Sequence, residues 1–110
     1  MKCLFCQIAA KKIPAEVISE NERLMVIFDI NPKAESHLLI FPKAHLSDSV
    51  DDLNDKRILE EVFAVARQLA RQYGIHKTGY RIITNHGKDA GQSVSHLHFH
   101  LLGGEKLSDS

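Results

Sequence analysis

The sequence predicts an α+β domain, a five-stranded antiparallel sheet with one long and one short helix. Three observations lead there. A segment from about residue 54 to 74 repeats its apolar residues at three- and four-residue spacing, the mark of a long amphipathic helix. Five short stretches rich in β-formers are separated by turn signals rather than by further long helices, which favours antiparallel pairing over βαβ units. The last of these stretches, His96-Leu97-His98-Phe99-His100-Leu101, alternates with the two-residue period of a strand.

The elements follow in order. Leu4–Lys12 has helical character and stops before Ile13-Pro14, because the residue preceding proline avoids the α region. Val17–Ser19 and Leu24–Asp29 are strands, with Asn21-Glu22 as the hairpin turn between them. Asn31-Pro32 marks a further turn, and Ser36–Pro42 reads as a mostly buried strand ended by its proline. In the long helix Asn54 is the cap and Asp55 lies in the first turn, where negative charge suits the helix dipole. Leu59, Val62, Phe63, Ala66, Leu69, Ala70 and Tyr73 form its apolar stripe, and Gly74 closes it. Glu60, Glu61, Arg67, Gln68 and Arg71 make the solvated face. Gly79–Thr84 is a strand, and the loop Asn85–Ser93 leads into the histidines.

Composition narrows the function classes. At 110 residues the chain is one domain, 1–110, with a short variable tail from about residue 105. Fourteen Lys and Arg balance fourteen Asp and Glu, so no global field favours nucleic acid or an acidic membrane. No apolar run is long enough for a membrane span, and Met1-Lys2-Cys3 does not open a signal-peptide core. The expected location is the cytoplasm, where two cysteines stay reduced. With no Trp and few aromatics, the chain is not built to stack on bases of a nucleic acid.

His96, His98 and His100 share one strand face, about 7 Å apart from one to the next. Coincidence on a surface strand is one reading, but the period and the apolar partner row are too regular for it. A metal site is a second, since strand histidines at i and i+2 ligate zinc, although no carboxylate lies close along this strand. Nucleophilic catalysis at phosphorus is a third. The preceding loop favours the third, because Asn85, Gly87, Gly91 and Ser93 bring backbone N–H groups, an amide and a hydroxyl to bear on a phosphate. Cys3-Leu4-Phe5-Cys6 supplies half of a tetrahedral zinc site or, equally, two small buried residues.

The segment Gly91-Gln92-Ser93-Val94-Ser95-His96-Leu97-His98-Phe99-His100-Leu101-Leu102 resembles the signature of the histidine triad (HIT) family, and most closely its Hint branch. Lys12-Ile13-Pro14-Ala15, Asp29-Ile30-Asn31-Pro32, Ser36-His37-Leu38-Leu39-Ile40, Pro42-Lys43-Ala44-His45-Leu46, Gly79-Tyr80-Arg81 and Gly103-Gly104 resemble Hint segments in the same order. The resemblance implies hydrolysis of a purine nucleoside phosphoramidate at its P–N bond, releasing a nucleoside monophosphate and an amine. It makes His98 the nucleophile and His100 the phosphate contact that assists proton transfer, with His37 in support and His96 completing the triad. It places Asn85, Gly91, Gln92 and Ser93 at the phosphate, and Asp29 and Ile30 at the ribose. Leu4, Phe5, Ile8, Ile27 and Leu39 match positions lining the base, with Ile27 where family members often carry Phe.

No catalytic cofactor is implied. In a subset of histidine triad proteins, and in the related galactose-1-phosphate uridylyltransferases, a structural zinc joins such a cysteine pair to two histidines. The matching set here is Cys3, Cys6, His45 and His96. The resemblance also implies a homodimer joined through the long-helix region. Two other functions stay open at this point: a nucleotide-binding regulatory protein with vestigial hydrolysis, and a hydrolase of dinucleoside polyphosphates or other nucleotidyl compounds.

Overall fold

The computed structural model describes residues 3–108. Its elements are α1 (Leu4–Ala9), β1 (Val17–Glu20), β2 (Leu24–Phe28), β3 (Ser36–Pro42), α2 (Arg57–Gln72), β4 (Tyr80–Ile83) and β5 (Phe99–Gly103). The strands form one antiparallel sheet in the order β1-β2-β3-β5-β4. The expected α+β architecture is therefore present, with one long and one short helix.

Both faces of the sheet are covered, which explains why β2 and β3 read as continuous apolar runs. Leu24 and Val26 of β2, Leu38 and Ile40 of β3, and Phe99 and Leu101 of β5 pack against Ile58, Val62, Ala66 and Leu69 of α2. The alternate residues Met25, Ile27, Leu39 and Phe41 pack on the opposite face against Phe5 and Ile8 of α1. Side-chain alternation thus assigns one face to the main core and the other to α1 and the histidines. No described helix is long and apolar enough to cross a membrane.

Several boundaries differ from expectation for identifiable reasons. The hairpin turn is as expected: Asn21 Oδ1 accepts from the N–H groups of Arg23 and Leu24 at 2.9 and 2.8 Å. The first helix ends at Ala9 rather than Lys12, and Lys11 takes a left-handed φ of 63° just beyond it. The long helix begins at Arg57, so Asn54 is not its cap; Asp55 instead accepts from Arg57 N–H at 3.2 Å. Asp55 also pairs with Arg23, 2.5 Å away, and that contact holds it just ahead of the helix. Phe63 belongs to the apolar stripe in spacing but is 46% exposed, resting edge-on near Phe99.

The larger correction concerns the histidine strand, which starts at Phe99, after His96 and His98. The β3–β5 ladder ends at the Ile40–Phe99 pair, and Pro42 has no N–H to continue it. Other groups satisfy the backbone there. Leu97 N–H donates to Ser47 C=O at 3.0 Å, and Thr84 Oγ1 donates to His98 C=O at 2.8 Å. The two-residue alternation survives without the ladder: Leu97, Phe99 and Leu101 all enter the α2 core.

Candidate active site

A cleft of about 420 Å3 opens on the α1 face of the sheet. One end is apolar, with Leu4, Phe5 and Ile8 from α1 facing Ile27 and Leu39 from the sheet. Asp29 and Ile30, just past β2, form the rim, and Ser93, His98 and His100 form the polar end. Ile13, Pro14, Ala15 and Asn31 also line it, and sequence reading did not single these out for a pocket. Asn85, Gly91 and Gln92 lie beside the cleft rather than in its wall. The Asn85 amide donates to Ala90 C=O at 2.8 Å, and Gly91 turns the chain at a φ of 78°.

The register of β3 on β5 assembles the polar end. Leu39 faces His100 directly, which sets His37, two residues away on the same face, diagonally beside it. His37 Nε2 then lies 2.9 Å from His100 Nδ1 and 3.3 Å from Asp29 Oδ2. The segment between β2 and β3 closes when Asp29 N–H donates to His37 C=O at 3.0 Å. That closure aims Lys33 N–H at His37 Nδ1, 2.9 Å away.

Backbone partners settle which ring nitrogen carries each proton, because a carbonyl can only accept and an amide N–H can only donate. His98 Nδ1 lies 2.8 Å from His96 C=O, so Nδ1 carries the proton and Nε2 keeps its lone pair. His96 Nε2 lies 2.7 Å from Pro42 C=O, so its Nδ1 is the free base. His37 Nδ1 accepts from Lys33, so His37 Nε2 is the donor and His100 Nδ1 the acceptor. His100 is left with its proton on Nε2. The result is a nucleophile and a hydrogen-bond donor side by side, with ring centroids 5.2 Å apart.

Burial keeps these rings neutral. It lowers the pKa of His37, His96 and His98, and with repulsion from His98 and His37 it pushes His100 down to about 4. The consequence for stability has a definite sign. A ring whose folded pKa lies below its unfolded value binds more protons when unfolded, so acid favours unfolding. The contribution of His100 is complete above its ordinary value of 6.5 and is lost as pH falls through about 4. His37 and His98, also lowered by burial, add to it in the same direction. The melting temperature is expected to decline as pH falls from about 6.5 to 4. A thermal series in that range checks it, and a flat profile down to pH 4.5 contradicts it.

Two clusters among the described residues bring several metal donors within 4.8 Å of one another: Cys3, Cys6, His45 and His96, and Asp29, His37 and His100. Their outer hydrogen bonds separate them. A zinc-bound imidazole needs its other nitrogen to be a donor. His45 Nε2 meets Asp48 Oδ1 at 2.8 Å and His96 Nε2 meets Pro42 C=O, so both Nδ1 atoms are available as ligands. Cys6 Sγ lies 3.5 and 3.6 Å from those two nitrogens, and Cys3 Sγ lies 3.1 Å from His96 Nδ1. Tetrahedral zinc with bonds of about 2.3 Å to sulfur and 2.0 Å to nitrogen sets S···N edges near 3.5 Å. The first cluster fits a zinc ion. In the second, Lys33 N–H occupies His37 Nδ1 and forces the proton onto Nε2, the atom a metal would need. That cluster is built to pass hydrogen bonds.

Sequence reading missed three parts of this arrangement. Thr84 holds the His98 carbonyl, Asp48 orients His45, and the Lys33 amide sets the proton on His37. Only Asp48, three residues after His45, left a trace in spacing.

Comparison with known proteins agrees with this fold. The HIT domain family model matches residues 10–107. An uncharacterized HIT-like protein of Buchnera aphidicola is 41% identical over 106 residues, 94% of this chain and 92% of its own. A HIT family hydrolase from Clostridium thermocellum has a solved structure that superposes with a TM-score of 0.92 at 42% identity, covering 99% of this chain and 96% of that one. A histidine triad nucleotide-binding protein from Candida albicans superposes with a TM-score of 0.84 at 29% identity, covering 99% and 85%.

Proposed function

This chain belongs to the HIT domain family, whose members are nucleotide hydrolases or transferases, and on that premise we propose that it hydrolyses purine nucleoside 5′-phosphoramidates. The products are a nucleoside monophosphate and an amine, formed through a covalent nucleotidyl-His98 intermediate. The observation that carries this reading is the 2.8 Å bond from His98 Nδ1 to His96 C=O, which leaves the Nε2 lone pair on a ring that lines the cleft.

The base lies between α1 and the sheet, against Phe5, Ile8, Ile27 and Leu39, and Asp29 accepts from the ribose hydroxyls. Ser93 meets the phosphate beside His98. His98 Nε2 forms a bond to phosphorus as the bond from phosphorus to the amine breaks. His100, neutral and with its proton on Nε2, donates a hydrogen bond to the reacting group. His37 holds that tautomer from behind and touches no substrate. Water then attacks the nucleotidyl-imidazole and His98 is released neutral. Over the two steps one water is consumed: the departing amine takes up a proton from solvent in the first, and in the second the water's hydroxyl ends on phosphorus while its other proton returns to solvent.

A structural zinc on Cys3, Cys6, His45 and His96 is part of the reading. It ties α1 to the segment after β3 and to the approach to β5, and takes no part in bond breaking. A homodimer is the other part. The open edge of β4, with Tyr80 on it 37% exposed and Phe63 of α2 at 46%, supports association on that side.

One preparation assayed against adenosine phosphoramidate, a dinucleoside polyphosphate and a nucleotidyl sugar tests the assignment. The phosphoramidate is expected to turn over fastest. Faster cleavage of either other substrate moves the function to that class, and tight AMP binding without cleavage of any of them makes the protein a nucleotide sensor.

A further inference from the structure

The loop between β4 and β5 has little packing to hold it. His86, Lys88, Asp89, Ala90, Gly91 and Ser93 are all exposed, and of the segment only Val94 joins a core. Its shape therefore rests on polar contacts. His86 Nδ1 meets Ser49 Oγ at 2.7 Å at the start of the loop, and at its end, next to Ser93, a single side chain makes three contacts. Gln92 Oε1 accepts from Gly87 N–H at 2.8 Å, while Gln92 Nε2 donates to Asp48 C=O at 2.6 Å and to Val94 C=O at 3.1 Å. Both ends of the amide are thus committed away from the cleft, and Ser93 sits between two residues that this amide restrains.

The far end of the strut is the cysteine–histidine cluster. Asp48, whose carbonyl Gln92 grips, uses its own carboxylate to hold His45 Nε2 at 2.8 Å. His45 Nδ1 faces Cys6 Sγ at 3.5 Å. A cation on the cluster would pin His45, hence Asp48, hence the 48–52 turn on which Gln92 bears. That turn is itself closed by Asp52, which accepts from the N–H groups of Asp48 and Ser49 at 3.0 and 2.9 Å. Displacement of His45 therefore moves the turn as a piece.

We propose that Gln92 is a positioning residue that couples the Cys3–Cys6–His45–His96 cluster to the loop carrying Ser93, so that metal occupancy sets the affinity for a nucleotide phosphate. This rests on the zinc and nucleotide readings above and adds a dependence of one on the other. Gln92 acts through Asp48 and Ser93 and makes no contact with the ligand.

The experiment is a two-by-two comparison. AMP affinity is measured by calorimetry on zinc-loaded and chelator-stripped protein, for wild type and for Gln92→Ala, with metal content and melting temperature recorded for each. Stripping is expected to weaken AMP binding to wild type about tenfold, within the usual range of coupling between sites. Zinc-loaded Gln92→Ala should already bind that weakly, and stripping it should change affinity less than about twofold while still lowering its melting temperature. Gln92→Glu, which keeps the acceptor for Gly87 and loses both donations, should behave like Gln92→Ala and guards against a variant that simply fails to fold. An equal loss on stripping in wild type and variants overturns the proposal, as does no loss in wild type whose metal has verifiably gone. Protein that neither contains nor takes up zinc removes the metal reading and this coupling with it. Zinc-loaded protein with no AMP affinity fails the nucleotide reading instead.

Discussion

His98→Ala is expected to lose turnover of adenosine phosphoramidate by on the order of 10^4-fold or more while keeping AMP affinity within a few-fold of wild type. The separation follows from the division of labour in the cleft. On the proposed function binding draws on the apolar walls, on Asp29 and on Ser93, none of which touches the His98 ring proton. Bond making draws on one lone pair. Removing the imidazole removes the only route through a nucleotidyl-enzyme, and His100 cannot substitute, because its Nδ1 faces His37 and its Nε2 carries the proton. Single-turnover reaction with labelled nucleotide should place the label on the peptide containing His98 in wild type and nowhere in the variant. A variant within about tenfold of wild type would mean that phosphorus is attacked by something else.

The second large effect is on stability. Stripping zinc, or replacing Cys6 with Ser, is expected to lower the melting temperature by about 10 °C, and the variant should no longer respond to chelator. A ligand held a hundredfold above its dissociation constant contributes about 2.7 kcal/mol, and each kcal/mol moves the transition of a domain near this size by about 4 °C or more. The cluster draws together residues 3, 6, 45 and 96, none of which lies in a paired strand. Helix α1, six residues long, is too short to be stable by itself and depends on such attachments. Equal, near-zero metal in wild type and Cys6→Ser protein purified without added zinc would remove the ion from the account.

How far the sequence carried these conclusions varies with the kind of contact. Strand β3 was legible to the residue, Ser36–Pro42, because a buried run and a terminal proline mark both its content and its end. The alternation from His96 to Leu101 correctly separated the faces but not the strand boundary. Where pairing stops depends on what β3 can offer opposite, and Pro42 lies far off in sequence. Asn54 looked like a cap because its residue type and position suit one. Arg23, more than thirty residues away, decides instead by drawing on Asp55. Phe63 shows the limit of periodicity, which assigns a face and not a depth. The histidines, cysteines and Asp29 were visible as chemistry in the chain and through resemblance. The hydrogen bonds that set their protonation were not, since the Lys33 N–H, the Pro42 C=O and the His96 C=O are main-chain groups that residue type does not mark.

The Lys33 amide carries one further consequence, for substitution tolerance. Its side chain is exposed, yet a single hydrogen on its backbone nitrogen separates the two donor clusters in kind. Any of nineteen residues can stand at position 33 and keep that hydrogen. Proline cannot, although it would suit a turn already begun by Pro32. With an imino acid there, His37 could present Nε2 unprotonated beside Asp29 and His100, and the cleft would acquire the donor set of a transition-metal trap.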